Sequence, residues 1–376
     1  MLLAVIGVGC FLTLIRLAIP RSLSSSSATI KPNSLKRDNS IASNVKTDRS
    51  IVLAKTFFEP KVVRSEHNHM PLVDMNDRGD FLFLAAPAND FNREYIHLFN
   101  KKVVRSGQVP KDSRWLLTSG GNILKRRAPG RFAPFLFGRT GNGIALGNWP
   151  YNDIRFISRF EDDGSVIGIR YISDKHRPIY SLQRDYVDGT SQVLYQSPLP
   201  TEILDKDDDG DIWIRQAISQ KNTRDDNLLK FHNGKMELLK MPAGYSAVNR
   251  VAKTGKYLVC TFGNILSTKP FRAYSKTDQG WHELPIPEGY VYSFAQKIFN
   301  DGLILGFVTD ANREAMKPIA WDGDRIAFLD ETLAWPKLGK YSFVSNATRR
   351  GDVLVRSVLN TESGAYENYL IHISRR

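Results

Sequence analysis

The densest set of potential ligand atoms in the chain is Asp205-Lys-Asp207-Asp-Asp209-Gly210-Asp211-Ile212. Carboxylates at alternate positions, followed by glycine and an aliphatic residue, are how a loop wraps a hard divalent cation. Asp205, Asp207, Asp209 and Asp211 are therefore candidate calcium ligands. The position where an EF-hand carries its bidentate glutamate holds Gln216, which argues against that module. The same residues also make a polar turn ahead of a strand, a reading that needs no metal. His67-Asn-His69 would set two imidazoles on one face of a strand, but no cysteine lies near and no third ligand is identified. No Gly-x-Ser-x-Gly elbow, phosphate-binding loop or His-Glu-x-x-His motif occurs. A pair of hydrolytic carboxylates has no spacing signature that would reveal it.

A second group of candidates is aromatic. Trp115, Trp149, Tyr151, Tyr245, Tyr290 and Trp335 stand beside prolines and close to polar stretches at 89–94, 173–177, 219–227 and 310–317. Rings among polar donors are how recognition surfaces are built. The competing reading is that these rings pack between sheets. The choice depends on the fold that positions them.

That fold is announced by a repeat. Polar turns ending in Gly79, Gly121, Gly164, Gly210, Gly255, Gly302 and Gly351 recur 42 to 49 residues apart. Each precedes a short β-rich run, such as Phe81-Leu-Phe-Leu84, Ile212-Trp-Ile214 or Val353-Leu-Val355. Glycine at such turns supplies a positive φ. Pro110, Pro150, Pro200, Pro242, Pro287 and Pro336 recur in phase, and proline marks a crossing between sheets because it cannot donate to a ladder. Further runs, such as Leu228-Leu-Lys-Phe231 and Met236-Glu-Leu-Leu239, give four short strands per unit. Units of this length and strand number predict an all-β, seven-bladed β-propeller over 51–376. The last unit lacks a fourth strand, and Ile51–Phe57 stands spare at the start, so the N-terminal strand is expected to close the ring. In this topology the crossing prolines and the aromatic set share one end of the propeller, and the glycine turns occupy the other.

Ahead of the propeller, Leu2 to Ile15 carries no charge, and Leu17-Ala-Ile19 extends the run past Arg16. Residues 1–20 are expected to form a hydrophobic helix, a signal or membrane anchor. Residues 21–50, rich in Ser, Asn, Lys and Thr, are expected to be a disordered linker. The positive charges that follow the segment favour a cytoplasmic domain by the positive-inside rule. The signal-like segment opening onto a serine-rich stalk favours an extracytoplasmic one, the reading adopted.

The chain has 376 residues, 42% of them hydrophobic, which is ample for a large core. Its net charge is +13, with acids interleaved and no basic block of the kind nucleic acid requires. Of two cysteines, Cys10 lies in the N-terminal segment, and Cys260, in an apolar run, reads as a small buried hydrophobe.

Two units resemble bacterial propeller repeats. Phe294-Ala-Gln-Lys-Ile-Phe-Asn-Asp-Gly-Leu-Ile-Leu-Gly306, with Pro318-Ile-Ala-Trp-Asp-Gly323, resembles the HAF-type extracellular repeat, with a turn one residue shorter. Leu204 to Trp213 resembles the propeller repeat of two-component sensor ectodomains. These resemblances imply a propeller and no particular ligand. The function expected is a membrane-anchored or exported binding protein that recognises a protein or glycan through its crossing-loop end. An extracytoplasmic enzyme acting on a carbohydrate polymer is the alternative, and a calcium-dependent adhesion module is a third.

Overall fold

The structure is a computed structural model. It describes residues 53–58, 72–76, 78–84, 92–99, 102–110, 114–117, 123–126, 135–137, 144–145, 154–161, 165–174, 177–186, 190–207, 209–264, 269–332, 341–348, 351–360 and 365–374. The hydrophobic segment, the linker, Cys10, His67 and His69 lie outside these residues. Among the described residues no helix is long and apolar enough to cross a membrane.

The strands form antiparallel meanders in which each strand pairs with the next. The first sheet holds β2 (Leu72–Met75), β3 (Asp80–Leu84), β4 (Asn92–Phe99) and β5 (Lys102–Pro110). The second holds β6 (Arg114–Leu117), β7 (Ile123–Arg126), β8 (Phe135–Phe137) and β9 (Ile144–Ala145). The third holds β10 (Ile154–Phe160), β11 (Val166–Asp174), β12 (Arg177–Asp185) and β13 (Ser191–Ser197). The fourth holds β14 (Thr201–Lys206), β15 (Ile212–Ala217), β16 (Asp226–His232) and β17 (Lys235–Leu239). The fifth holds β18 (Ala247–Thr254), β19 (Tyr257–Gly263), β20 (Arg272–Thr277) and β21 (Gly280–Glu283).

The remaining strands make an eight-stranded sheet of two halves. One half is β22 (Tyr292–Ile298), β23 (Ile304–Thr309), β24 (Met316–Asp322) and β25 (Arg325–Phe328), followed by the one-turn helix α1 (Leu329–Thr332). The other is β26 (Tyr341–Ala347), β27 (Asp352–Asn360) and β28 (Ala365–Ser374), with β1 (Leu53–Phe58) as its outer strand. A single parallel bridge, Met316 to Tyr341, joins the halves. β1 runs antiparallel to β28, from Leu53 opposite Ser374 to Phe58 opposite Leu370. The start of the described chain thus completes the sheet made by its end.

The anticipated glycine turns all fall between the first and second strands of a unit, with Gly121 and Gly164 themselves outside the described residues. Gly79, Gly210, Gly302 and Gly351 have φ of 87°, 86°, 88° and 88°, a conformation that costs a side-chain-bearing residue about 1–2 kcal/mol. The geometry is a turn closed by a glycine bulge. Gly210 N–H donates to Asp207 O at 3.3 Å, and Asp207 N–H donates to Asp211 O at 3.0 Å. The first side chain of the turn locks it: Asn76 Oδ1 and Asp207 Oδ1 accept the N–H groups of Asp80 and Asp211 at 3.0 and 2.9 Å. Thr348 Oγ1 does the same for Asp352 at 3.2 Å.

The first strands share a further device. Their register shifts at Val73, Ser158, Leu204, Asn249, Gln296 and Ser345, each at the same distance ahead of the turn glycine. β6 differs, pairing with β7 without a shift. Such a bulge bends and twists the strand that carries it. The first strands contact one another in succession: β2 with β6, β10 with β14, β14 with β18, β18 with β22, β22 with β26, and β26 with β2. They are therefore the inner strands, and later strands lie progressively outward.

The cores sit between neighbouring sheets. Ile167, Ile169 and Leu182 pack against Ile203, Ile212 and Ile214. Trp213 and Leu228 pack against Val248, Val251, Cys260 and Phe262. Ala252, Val259 and Ala273 meet Ala295, Ile304, Ile319 and Trp321. Met75 and Phe81 share a cluster with Phe299, Leu305, Val344 and Val353. Alternating strand residues face the sheet on either side, so the fourth and fifth sheets and the β22–β25 half are buried on both faces.

Candidate functional site

Two of the sheet-to-sheet crossings use one construction. In Pro242-Ala-Gly-Tyr245 and Pro287-Glu-Gly-Tyr290 the tyrosine N–H donates to the proline carbonyl, at 3.2 and 3.3 Å. Gly244 and Gly289 take φ of 81° and 86°, as the third position of a type II turn demands. The turn places each tyrosine just ahead of an inner strand. Tyr245 lies edge-on to Tyr274, ring centroids 5.5 Å apart, with the Lys269 ammonium 5.2 Å from its ring. Tyr290 lies 5.6 Å from Phe328. Both are half-buried over the inter-sheet cores, and burial raises both phenol pKa values. Tyr274 donates to Glu283 at 2.8 Å.

Beside Tyr245, the fourth sheet gathers a charged cluster at this same crossing-loop end. Glu202 on β14 and Arg215 on β15 are register partners, so their side chains share a face. Arg215 Nε and Nη2 donate to Glu202 Oε2 at 2.9 and 2.5 Å. Asp226 opens β16 opposite Ala217, two positions beyond the level of Arg215 and on the same face. Its N–H donates to Ser246 O at 2.6 Å, and its Oδ2 accepts Val248 N–H at 3.3 Å. Its carboxyl is pushed up to about 6, chiefly by burial and partly opposed by Arg215. Asp225 moves the other way, held below the carboxylate range by hydrogen bonds with Ser246 and Asn222. Gln216 donates to Tyr195 Oη at 3.1 Å and to Thr201 Oγ1 at 3.3 Å, tying the cluster to the third sheet. A carboxyl that titrates near neutrality, next to an ion-paired carboxylate, can exchange protons with a bound molecule. Tyr245 adjoins the cluster through Ser246, whose carbonyl accepts the Asp226 N–H.

Of the four aspartates singled out as calcium ligands, Asp207, Asp209 and Asp211 lie together at the opposite end, around an ammonium. Lys253 Nζ, from the fifth sheet, stands 3.0 Å from Asp207, 2.5 Å from Asp209 and 3.5 Å from Asp211. Asp207 also accepts from Trp213 Nε1 at 3.0 Å, and Asp211 contacts His232 Nδ1. Burial pulls the Lys253 pKa down, but hydrogen bonds to Asp209 and Asp207 outweigh it and hold the ammonium above its ordinary value. Lys253 likewise holds Asp209 below the usual carboxylate range. Asp205 stands apart, on the inner strand facing Arg250. Among the described residues no group of His, Cys, Asp and Glu is arranged to hold a metal ion. The cation that the structure shows among Asp207, Asp209 and Asp211 is the ammonium of a lysine on the next sheet.

Of the aromatic candidates, Tyr245 and Tyr290 fall at the crossing-loop end. Trp115 lies on β6, with its side chain outside the described set, and Trp149, Tyr151 and Trp335 are outside it altogether. Glu202, Arg215 and Asp226 had not been singled out. The signal available for Asp226 was its place at the end of the polar loop 219–227, directly before a strand. Cys260 is fully buried in an inter-sheet core, where burial raises its thiol well above the ordinary range.

No family model and no curated protein matches this chain. Solved structures do, and they define the fold as a β-propeller. The β-propeller domain of the Trilobed protease from Pyrococcus furiosus, described as having an open velcro topology, matches at TM-score 0.56 and 12% identity, over 83% of this chain and 96% of that one. Acylaminoacyl peptidase from Pyrococcus horikoshii matches at TM-score 0.54 and 11% identity, over 81% of this chain and 50% of that one. Two prolyl endopeptidases, studied for inter-domain dynamics in catalysis and specificity, are represented by a match at TM-score 0.54 and 8% identity, over 82% and 50%. This chain thus spans about half the length of those peptidases.

Proposed function

We propose that this chain is a seven-bladed propeller, closed by β1, that binds a segment of a protein partner at its crossing-loop end between the fourth and fifth blades. The observation that carries this reading is the half-buried Asp226 carboxyl beside the Glu202–Arg215 pair, with the crossing turn of Tyr245 adjoining it through Ser246. A peptide supplies both the backbone donors that such a carboxyl accepts and the side chains that a tyrosine ring covers. The propeller neighbours, peptidase domains in name, are in keeping with a polypeptide ligand. The uncharged run from Leu2 to Ile15 supports a membrane anchor or export signal over residues 1–20, a linker over 21–50 and an extracytoplasmic propeller. The match of Phe294–Gly306 to the extracellular repeat pattern agrees with that location.

The test is selection of a random peptide library on the full-length protein, with the affinity of enriched peptides then measured against Arg215→Ala and Asp226→Asn. The reading requires enriched peptides whose binding falls at least tenfold in both variants. Peptides that bind the variants as well as the parent would refute it.

The alternative, an enzyme acting on a carbohydrate polymer, is favoured by one observation, the raised pKa of Asp226 next to a second carboxylate. It predicts release of reducing ends from a polysaccharide with a pH profile that turns near 6, abolished in Asp226→Asn.

A further inference from the structure

The bulge in each inner strand sets two successive residues at one level of the propeller axis. On three neighbouring inner strands these are Asn249-Arg250 on β18, Gln296-Lys297 on β22 and Ser345-Asn346 on β26. β18 contacts β22, and β22 contacts β26, so the pairs stand side by side around the axis. All of these residues are polar, where the flanking positions Val248, Val251, Ala295 and Val344 are buried and apolar.

Two of them are cations, and neither forms an ion pair among the described residues. Arg250 is only part-buried by its exposure, yet burial holds its guanidinium below the ordinary range, against the pull of Asp205 on the adjacent inner strand. Arg250 thus sits on the inner strand β18, close-set by protein yet still in contact with solvent. The Gln296 amide, on a residue 5% exposed, makes no hydrogen bond to a described residue, and neither does the amide of Asn249. Two cations and two amides without side-chain hydrogen bonds to described residues therefore stand at one level on adjacent inner strands, with Asp205 as the opposing charge.

We propose that β18 and β22 form an oxyanion site in the wall of the axial channel, in which Arg250 and Lys297 supply charge and Asn249 and Gln296 supply amide donors. Its ligand is a small carboxylate or phosphate. A guanidinium binds two oxygens of such a group at once, and the ammonium adds a point charge. The site shares no side chain with the Glu202–Arg215–Asp226 cluster, which reaches β18 only at the Val248 N–H.

The experiment is isothermal titration of the full-length protein in detergent, at constant ionic strength, with inorganic phosphate in one arm and succinate in the other. Saturable uptake of one ion per chain is expected in at least one arm, and the arm that saturates tells phosphate from carboxylate. Arg250→Gln should weaken that binding at least tenfold and Lys297→Gln at least threefold. Asp205→Asn should tighten it several-fold by removing the competing carboxylate. Lys235→Gln, an equal loss of charge on the outer strand β17, should leave it unchanged. Absence of saturable uptake in both arms overturns the proposal, as does a folded Arg250→Gln protein that binds like the parent. Should Arg250→Gln fail to fold, unchanged affinity in Lys297→Gln overturns it instead.

Discussion

Replacing Lys253 by methionine keeps most of the side chain's volume and removes the cation that three carboxylates share. Asp207 and Asp211 have side chains 1% and 5% exposed, and Lys253 is itself 16% exposed, so the pairs are nearly dry. Breaking a buried pair by deleting one partner costs roughly 3–5 kcal/mol, because the remaining charge stays desolvated. Two features reduce that figure here. Asp207 keeps its bonds from the Asp211 N–H and the Trp213 indole, and the ammonium retains some contact with water. The expected loss is about 2–4 kcal/mol at neutral pH. The pH dependence follows from the signs. Lys253 has a raised pKa, so its contribution is complete below the unfolded lysine value and is lost only as pH climbs through the folded one. Asp209 has a lowered pKa, so its contribution is present above the unfolded carboxylate value and is lost as pH falls through the folded one. In the variant the stranded carboxylates take up protons more readily, which relieves the strain in acid. Urea unfolding of parent and Lys253→Met at a series of pH values should show a gap that is widest between about pH 6 and 9 and shrinks toward pH 4. A gap below about 0.5 kcal/mol at neutral pH, or one that does not change with pH, would refute the claim that this lysine joins the fourth and fifth blades.

Asp226→Asn should stabilise the protein by about 1–2 kcal/mol at pH 7.5, since a folded pKa of about 6 means the ionised carboxylate is disfavoured there. That advantage should vanish near pH 4, where the parent is protonated too, and chemical unfolding at the two pH values checks it. Gly306→Ala puts a methyl 2.0 Å from the Phe294 carbonyl oxygen and 2.8 Å from the Trp321 ring, an overlap expected to cost about 3 kcal/mol or more in thermal unfolding. Gly210→Ala has open space around it and should lose only the roughly 1–2 kcal/mol of its left-handed backbone. Deleting residues 1–58 removes β1 and bares the edge of β28, so the melting temperature should fall and the segment 365–374 should become an early site of limited proteolysis.

The parts of this architecture that could be read ahead of the structure are those that demand a residue type. A turn with positive φ needs glycine, so Gly79, Gly210, Gly302 and Gly351 punctuate the sequence openly. The type II crossing needs proline and glycine, which fixed where Tyr245 and Tyr290 would stand. The pairing of β1 with β28 followed from counting strands. The inner-strand bulges were invisible because they demand nothing: Leu204, Asn249, Gln296 and Ser345 share no chemistry. Burial on both faces also hides the two-residue alternation, so that Ala247 and Val248 are both buried, and Val251 and Ala252 again. Site chemistry was hidden for a different reason. Lys253 meets Asp207, and Val248 meets Asp226, only because successive sheets stack, and no spacing within one unit reports that contact. The raised pKa of Asp226 is a consequence of what the neighbouring crossing lays over it.

The extra residue in each inner strand has a consequence for how this molecule can change. Because the insertion sits where the strand turns from one hydrophobic neighbour to the next, the two side chains it displays bear no weight in either core. Positions 249–250 and 296–297 can therefore be exchanged one at a time, from charged to neutral or from large to small, while the stacking of the sheets stays as it is. The chemistry displayed by the inner strands is free to drift in evolution, or to be rewritten at the bench, on a scaffold that does not register the exchange.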